Sequence, residues 1–332
     1  MSDSREFVRL TGPFRRELLA HCYRMLGSVE DAEDLVQETY LRAWRAYAGF
    51  DGRSSLRTWL HKIATNACLS ALEHRSRRPL PSGLGGPGRD PQALPAPARP
   101  EVEWLQPMPD ALLAGSPADP AAVVVSRGSL RLALVAALQH LPARQRAVLI
   151  LRDVLAWRAS EVADLLGTTT AAVKSMLQRA RAQLGQVAPV EDLIAEPAEA
   201  DLRALLDQYV AAFENADVAA LVRLLREDVE LEMPPTPDWF AGRSAVAGFL
   251  AAHALGQPGA IRMVTTAANG QPALAAYLRD GDGVHRAHAI QVLTATAAGI
   301  TRIVVFLDPG LFASFGLPQV HPGSAHGAPA SA

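Results

Sequence analysis

Cysteine and long apolar runs are scarce in this sequence. Its 332 residues include two cysteines, Cys22 and Cys68, and neither belongs to a CxxC pair or to a Cys/His pattern with metal-ligand spacing. This argues against a disulfide framework and against a zinc site. No uncharged apolar run reaches the roughly 18 residues of a membrane helix, and the first residues lack the basic and apolar stretches of a secretory signal. We therefore expect a reduced, cytoplasmic protein that has no contact with membranes.

Lysine is also scarce, and the charges are unevenly distributed. Lysine accounts for two of the 32 basic residues. Arginine suits contacts to phosphate and guanine, but a GC-rich genome is the main explanation of this bias. The net charge is +3 over residues 1–78, −3 over 79–124, +6 over 125–190 and −8 over 191–332. Two basic segments followed by an acidic part are typical of a protein that binds a polyanion and carries an appended module. The length predicts two or three domains.

Residues 79–124 have the composition of a linker. They contain 11 prolines and 5 glycines among 46 residues, which is too many to sustain helices or sheet ladders. One patch within this linker, residues 103–110, carries a tryptophan, a leucine and a methionine. The patch either docks on a folded surface or is a chance apolar cluster.

Residues 7–78 are predicted to form helices. Gly27 ends one helix and Ser28 begins the next, whose first turns are acidic, as the helix dipole favours. Ser55 begins a long helix with an apolar stripe, and the other face of that helix carries Arg57, His61, Lys62 and Asn66 among other polar side chains. Such a face fits a nucleic acid backbone, although a solvated face is the simpler interpretation.

Residues 125–186 contain the pattern of a helix-turn-helix. A short helix with the small residue Ala163 is followed by a turn at Gly167, and a second helix runs from Thr170 to Leu184 with one apolar and one basic face. This combination is typical of DNA-binding domains. A generic helical hairpin with a solvated basic face is the alternative.

Three stretches, in this order, resemble the extracytoplasmic-function class of bacterial RNA polymerase sigma factors: residues 31–44, residues 56–68, and residues 141–149 with the helix-turn-helix. The resemblance implies two all-α domains, sigma region 2 at residues 7–78 and sigma region 4 at residues 125–186. In that family, region 2 binds the polymerase core and opens the minus-ten element, and region 4 reads the minus-35 element as a duplex.

The resemblance also assigns roles to individual residues. For binding the core polymerase, with its β′ and β subunits, it implies Asp31, Glu33, Asp34, Gln37 and Glu38. For the minus-ten element it implies Phe50, Asp51, Arg53, Ser54, Ser55, Arg57, His61, Lys62, Asn66, Arg75, Arg77 and Arg78. For the minus-35 element it implies Thr169, Thr170, Lys174, Ser175, Gln178, Arg179 and Arg181.

Residues 199–316 have the order of an α+β domain, with a helix pair and then a run of strands, and with one further helix between the first two strands. The stretches Phe213–Asp217 and Trp239–Arg243 resemble the SnoaL-like, NTF2-like cone, in which a curved sheet surrounds a pocket. The resemblance implies a regulatory domain, with Trp239, His253 and His288 in a pocket that is a possible site for a small molecule. The last residues, 317–332, are small, polar and rich in proline and glycine, and we expect them to be disordered.

The expected function is therefore that of a sigma factor that brings RNA polymerase core to promoter DNA and is modulated by its own C-terminal domain. No catalysis, metal or cofactor is expected. One alternative is a ligand-responsive helix-turn-helix regulator, which would have no need for an acidic polymerase-binding helix, so residues 29–78 argue against it. A second alternative is a SnoaL-like enzyme fused to a DNA-binding region.

Overall fold

The computed structural model describes residues 2–52, 54–73, 77–114, 129–187 and 197–324. They form two compact units, and the linker is divided between these units. The first unit comprises Met1–Arg78 and Leu105–Glu191, and the second comprises Pro79–Trp104 and Asp192–Ala332. No helix in the described ranges is long and apolar enough to cross a membrane.

The first unit begins with four helices: α1 (Ser2–Thr11), α2 (Arg15–Leu26), α3 (Val29–Ala46) and α4 (Leu56–Leu72). The predicted boundaries are confirmed. Gly27 adopts φ +71° at the end of α2, and the side chains of Ser28 and Ser55 accept hydrogen bonds from the first turns of α3 and α4. The helices pack through buried residues such as Leu18, Cys22 and Cys68.

The same unit continues with α5 (Leu132–Gln139), α6 (Ala143–Leu149), a π-helical turn (Ile150–Val154), α7 (Ala159–Leu166) and α8 (Thr170–Val187). Helices α7 and α8 form the predicted helix-turn-helix. Gly167 has φ +58° at the end of α7, and the hydroxyl of Thr169 accepts a hydrogen bond from the amide of Ala172 at the start of α8. Ala163 is buried, which allows the two helices to approach closely.

Part of the linker docks on the first unit. Leu105 and Met108 are almost fully buried there. Between them, the amide of Gln106 donates to Gly27 O (3.0 Å) and its carbonyl accepts from the hydroxyl of Tyr23 (2.7 Å). Of the two interpretations of the apolar patch, docking on a folded surface is confirmed for these residues.

The second unit is an α+β domain, as expected. Its elements are α9 (Glu199–Glu214), α10 (Val218–Leu224), β1 (Leu225–Glu232), β2 (Trp239–Ala241), α11 (Arg243–Phe249), β3 (Ile261–Ala268), β4 (Gln271–Arg279), β5 (His285–Thr296), β6 (Gly299–Phe306) and α12 (Leu311–Ser314). The strands form one sheet in the order β2-β1-β6-β5-β4-β3. Strands β1 and β6 are parallel, and every other pair is antiparallel.

Two expectations about irregular segments need correction. Residues 79–104 have no regular structure beyond a short 3-10 turn, yet they belong to the second unit and are bonded to it along their length. The tail is also ordered in part, because Gln319 and His321 exchange backbone hydrogen bonds with Ala287 and His285 of β5. The ring of His321 packs against Tyr277, which explains why this stretch is fixed. Residues 325–332 lie outside the described part of the chain.

Candidate functional site

Helix α3 carries the acidic side chains predicted to bind polymerase. Asp34 and Gln37 are exposed, whereas Asp31, Glu33 and Glu38 are half-buried. Each of these last three is paired: Asp31 with Arg78 (2.7 Å), Glu33 with Arg15 (2.8 Å) and Glu38 with Arg42 (2.7 Å). Arg78, which was predicted to contact the minus-ten strand, therefore lies beside the acidic helix.

The loop before α4 presents aromatic and polar groups. The ring of Phe50 lies 4.8 Å from that of Trp59 and stacks on Tyr47 at 6.5 Å, measured between ring centroids. Asp51 is exposed, and Ser55 caps α4 through its hydroxyl. Stacked rings beside polar groups suit the capture of an unstacked base. Arg53 and Arg75 lie outside the described residues.

Only some of the side chains predicted to face DNA on α4 are exposed. Asn66 is exposed and Lys62 is half-buried. Arg57 is exposed and pairs with Glu17, whose carboxylate raises the pKa of the guanidinium. Arg77 lies next to His140 of the helix that precedes the helix-turn-helix, with 3.0 Å between Nη1 and Nδ1.

The expectation that His61 belongs to this exposed face is wrong. Its side chain is 1% exposed, because the ring turns toward α2 and packs 5.4 Å from that of His21. Its Nδ1 lies 2.9 Å from the carbonyl of Arg57, and the hydroxyl of Thr65 donates to the carbonyl of His61. Because the single hydroxyl hydrogen of Thr65 is used in that bond, the hydroxyl oxygen can only accept a second one. Nε2 of His21 therefore donates to it (2.9 Å).

This histidine pair predicts that the protein loses stability in weak acid. Burial lowers the pKa of His21 well below its ordinary 6.5, and burial also lowers that of His61 despite the nearby Glu17. Below pH 6.5 the unfolded chain therefore binds protons that the folded chain excludes. The free energy of unfolding should fall by about 1.4 kcal/mol per pH unit for each histidine.

Urea unfolding measured between pH 7.5 and pH 5 tests the predicted loss of stability in weak acid. The stability should be constant at the upper end and decline as the pH falls below 6.5. The variant H21N should lose part of the pH dependence. A decline of equal slope in H21N would contradict the assignment to the buried pair.

Helix α8 presents the face predicted to contact the minus-35 element. All seven predicted residues are exposed: Thr169, Thr170, Lys174, Ser175, Gln178, Arg179 and Arg181. Val173, Leu177 and Ala180 on the opposite side are buried. Arg181 pairs with Asp153 at 2.7 Å, which orients its guanidinium beside the helix.

Two buried arginines were not predicted. Arg24 and Arg146 are both 3% exposed. Arg24 donates to the carbonyl and hydroxyl of Ser129, and Arg146 donates to Met25 O and to the carbonyls of Gln139 and Leu141. Burial lowers the pKa of each guanidinium to about 10. These bonds join α2 to the helices that precede the helix-turn-helix.

The C-terminal domain encloses a cavity of about 280 Å³. Its walls are mostly apolar and include Phe213, Met233, Phe249 and Ile261. His253 and His288 line the cavity, as predicted, and Nε2 of His253 is buried without a hydrogen-bond partner.

Two residues of this region depart from the expectation. Trp239 is not part of the lining, because its indole lies at the edge strand β2 and donates to Gly85 O (2.9 Å). Pro95 of the linker, by contrast, is part of the lining. The cavity is therefore completed by a residue that precedes the helix-turn-helix in sequence.

Family comparisons agree with these three parts of the chain. The family model described as Sigma-70 region 2 matches residues 10–78, the Sigma-70 region 4 model matches residues 131–184, and the SnoaL-like domain model matches residues 206–305. The ECF RNA polymerase sigma factor SigG of Mycobacterium tuberculosis is 53% identical over 316 residues, which are 95% of this chain and 84% of SigG. The chain belongs to the family of ECF RNA polymerase sigma factors.

A solved structure supports the fold of this sigma factor. The crystal structure of the extracytoplasmic function sigma factor SigJ of M. tuberculosis matches with a TM-score of 0.61 and 25% identity, over 92% of this chain and 98% of SigJ. The predicted fold class is confirmed, with two helical sigma domains and a SnoaL-like domain. As an ECF sigma factor, the protein directs RNA polymerase core to promoters. The two helical domains are called region 2 and region 4 below.

Proposed function

We propose that each of the three surfaces predicted from the sequence has a separate role in transcription initiation. Helix α3 binds the core polymerase, the loop from Phe50 to Ser55 with α4 captures the minus-ten element, and α8 reads the minus-35 duplex. The observation that supports this most strongly is α8, whose seven predicted residues are all exposed while its apolar side is buried. A helix with one basic and one buried face fits the major groove.

Run-off transcription with purified bacterial core tests this proposal. The full chain should give core-dependent transcripts with a defined start site on DNA selected for binding by the holoenzyme. A chain that binds a specific duplex without core and supports no transcript would instead be a ligand-responsive helix-turn-helix regulator. Because the partner is RNA polymerase, we place this activity in the cytoplasm.

We further propose that the C-terminal domain regulates the sigma regions by binding and not by catalysis. The cavity lining holds two histidines, His253 and His288, and among the described lining residues no carboxylate stands beside them as an acid or base partner. Apolar walls with one unpartnered ring nitrogen suit a small apolar molecule that carries one hydrogen-bonding group.

A thermal-shift measurement on the full chain addresses the ligand. Indole is a suitable probe, because it is small and apolar and has a single hydrogen-bonding group. We expect millimolar indole to raise the midpoint of unfolding, and the variant H253F to abolish the shift by filling the cavity. No shift with indole in the wild-type chain would argue against a ligand of this class.

A further inference from the structure

Helix α9 places a buried tyrosine beside the cavity of the C-terminal domain. Tyr209 is 0% exposed, and its ring lies 4.8 Å from that of Phe213, which lines the cavity. The hydroxyl of Tyr209 donates a hydrogen bond to Oε1 of Gln291 on β5 (2.8 Å). Gln291 also lines the cavity. Its side chain therefore connects the buried hydroxyl to the space that a ligand would occupy.

The hydroxyl of Tyr209 fixes the orientation of the Gln291 amide. Burial raises the pKa of this hydroxyl, so it keeps its hydrogen at neutral pH. Within the described part of the chain, Oε1 of Gln291 is the acceptor that this hydrogen has. If the amide were turned around, its NH2 group would face the hydroxyl, and a buried donor would be left without an acceptor, which is unfavourable. The amide oxygen therefore stays on the side of Tyr209.

The other end of the same amide is the group that can meet a ligand. Nε2 of Gln291 makes no hydrogen bond to any residue that the structure describes, and the side chain lies in the cavity wall. An amide nitrogen donates and does not accept hydrogen bonds. The cavity thus contains one polar group whose role as a donor is fixed by the fold.

The second polar group, His288, is brought into the cavity wall by an irregularity of β5. The pairing of β5 with β4 passes from Ala287 to Ala289 and leaves His288 without an opposite residue. Neighbouring side chains of a regular strand face opposite sides, but at this bulge both His288 and Ala289 line the cavity. Bulges that redirect a side chain in this way are common beside binding sites.

The histidines of the cavity do not select between donor and acceptor ligands. An uncharged imidazole carries one N–H donor and one bare nitrogen, and the two exchange roles between tautomers. Burial lowers the pKa of His288, which favours the uncharged ring. Either kind of ligand can therefore find a partner among His253 and His288, and the bias of the site comes from Gln291.

Charge and volume restrict the ligand further. None of the described lining residues is an aspartate, a glutamate, a lysine or an arginine, and an ion buried without a partner is unfavourable. The volume of about 280 Å³ equals that of roughly nine liquid water molecules. A ligand of about ten non-hydrogen atoms fits this space, and the apolar walls suit a hydrocarbon ring.

We propose that the C-terminal domain binds a small, uncharged carbonyl compound whose oxygen accepts a hydrogen bond from Nε2 of Gln291. Tyr209 is a positioning residue, because it is not part of the lining and acts by presenting the donor end of the amide. A ligand that can only donate leaves this end of Gln291 unpaired. The inference rests on the proposed binding of a small molecule in this cavity and specifies its chemical class.

Two bicyclic probes of similar size test this selectivity on the full chain. The ketone 1-indanone offers a carbonyl oxygen and no donor, whereas indole offers one N–H donor and no comparable acceptor. Isothermal titration calorimetry at pH 7.5 gives the Kd of each probe. We expect the Kd of 1-indanone to be about fivefold lower, which is the effect of one additional neutral hydrogen bond.

The variant Y209F tests the positioning role. It removes the hydroxyl that orients Gln291 and keeps the aromatic ring, so the amide can turn either end toward a ligand. The ratio of the two Kd values should fall from about five to about one. The matched control is Y277F, because the hydroxyl of Tyr277 donates to Pro318 O (3.1 Å) and Tyr277 does not line the cavity. Y277F should keep the wild-type ratio.

The double variant Y209F/Q291M tests the donor itself. It removes both partners of the bond and replaces each side chain by one of similar size, so no buried group is left unpaired. Methionine has no donor, and 1-indanone should therefore lose its advantage, whereas the Kd of indole should stay within about twofold of wild type. Circular dichroism of each variant checks that the C-terminal domain stays folded.

Three results would overturn the inference alone. They are equal affinities of the two probes for the wild-type chain, tighter binding of indole than of 1-indanone, and a Y209F variant that keeps the full preference for 1-indanone. Binding of either probe in these cases would leave the proposed ligand site standing. If neither probe binds the wild-type chain, the proposed function of the cavity fails and this inference fails with it.

Discussion

Reversing two charges on α8 should abolish promoter-specific transcription. In the double variant K174E/R179E, two exposed cations of the proposed minus-35 surface become anions. Each lost contact to DNA weakens binding by about 1–3 kcal/mol, so the pair should reduce promoter binding by the holoenzyme at least about 30-fold. Run-off transcription and filter binding with the holoenzyme measure the effect.

The charge-matched control for this prediction is R203E, which reverses an exposed arginine on α9 of the C-terminal domain. It should leave promoter binding within about twofold of wild type. Salt adds a second check, because the loss of phosphate contacts lowers the salt dependence of binding. Equal activity of K174E/R179E and R203E would remove α8 from the DNA interface.

Removing one buried carboxylate should destabilise the C-terminal domain. In E232A, the guanidinium of Arg302 loses its bonds from Nε (3.0 Å) and Nη2 (2.7 Å), and the amide of Ser82 loses its acceptor. Because the site is shielded from water, the free energy of unfolding of this domain should fall by about 3 kcal/mol.

The neighbouring carboxylate gives the control. Glu230 also pairs with Arg302, at 3.3 Å, but its side chain is 37% exposed. E230A should therefore lower the free energy of unfolding by less than about 1 kcal/mol. Urea unfolding of the full chain, followed at the transition of the C-terminal domain, distinguishes the two variants. Similar losses in the free energy of unfolding would mean that burial does not set the strength of these ion pairs.

The sequence predicted best what depends on local chemistry. The boundaries at Gly27, Ser28 and Ser55 follow from residues that act on their own helix ends, and the structure confirms them. The strands β3 to β6 are long enough for their apolar pattern to be recognised. Strand β2 is not recognisable in the sequence, because three residues, Trp239–Ala241, are too few to show an alternation.

Features that depend on distant partners were not predictable in this way. The proline-rich composition of residues 79–104 correctly excluded helices and strands, but it could not show that backbone amides there bond to Glu232 and Asp238, more than 100 residues away. Arg24 and Arg146 resemble ordinary surface arginines, because nothing local reveals that carbonyl groups of another helix will surround them. His61 borders the apolar stripe of α4, and only the position of His21 decides that it is buried.

The division of the linker between two units limits how this protein can be recombined. A SnoaL-like domain grafted from residue 197 onward onto another sigma factor would lack Pro95, which lines its cavity, and the donor to Glu232. Truncation before α9 would in turn leave residues 79–104 attached to region 2 without the groups that accept their hydrogen bonds. The regulatory domain thus consists of two sequence segments that flank region 4, and a functional chimera has to contain both.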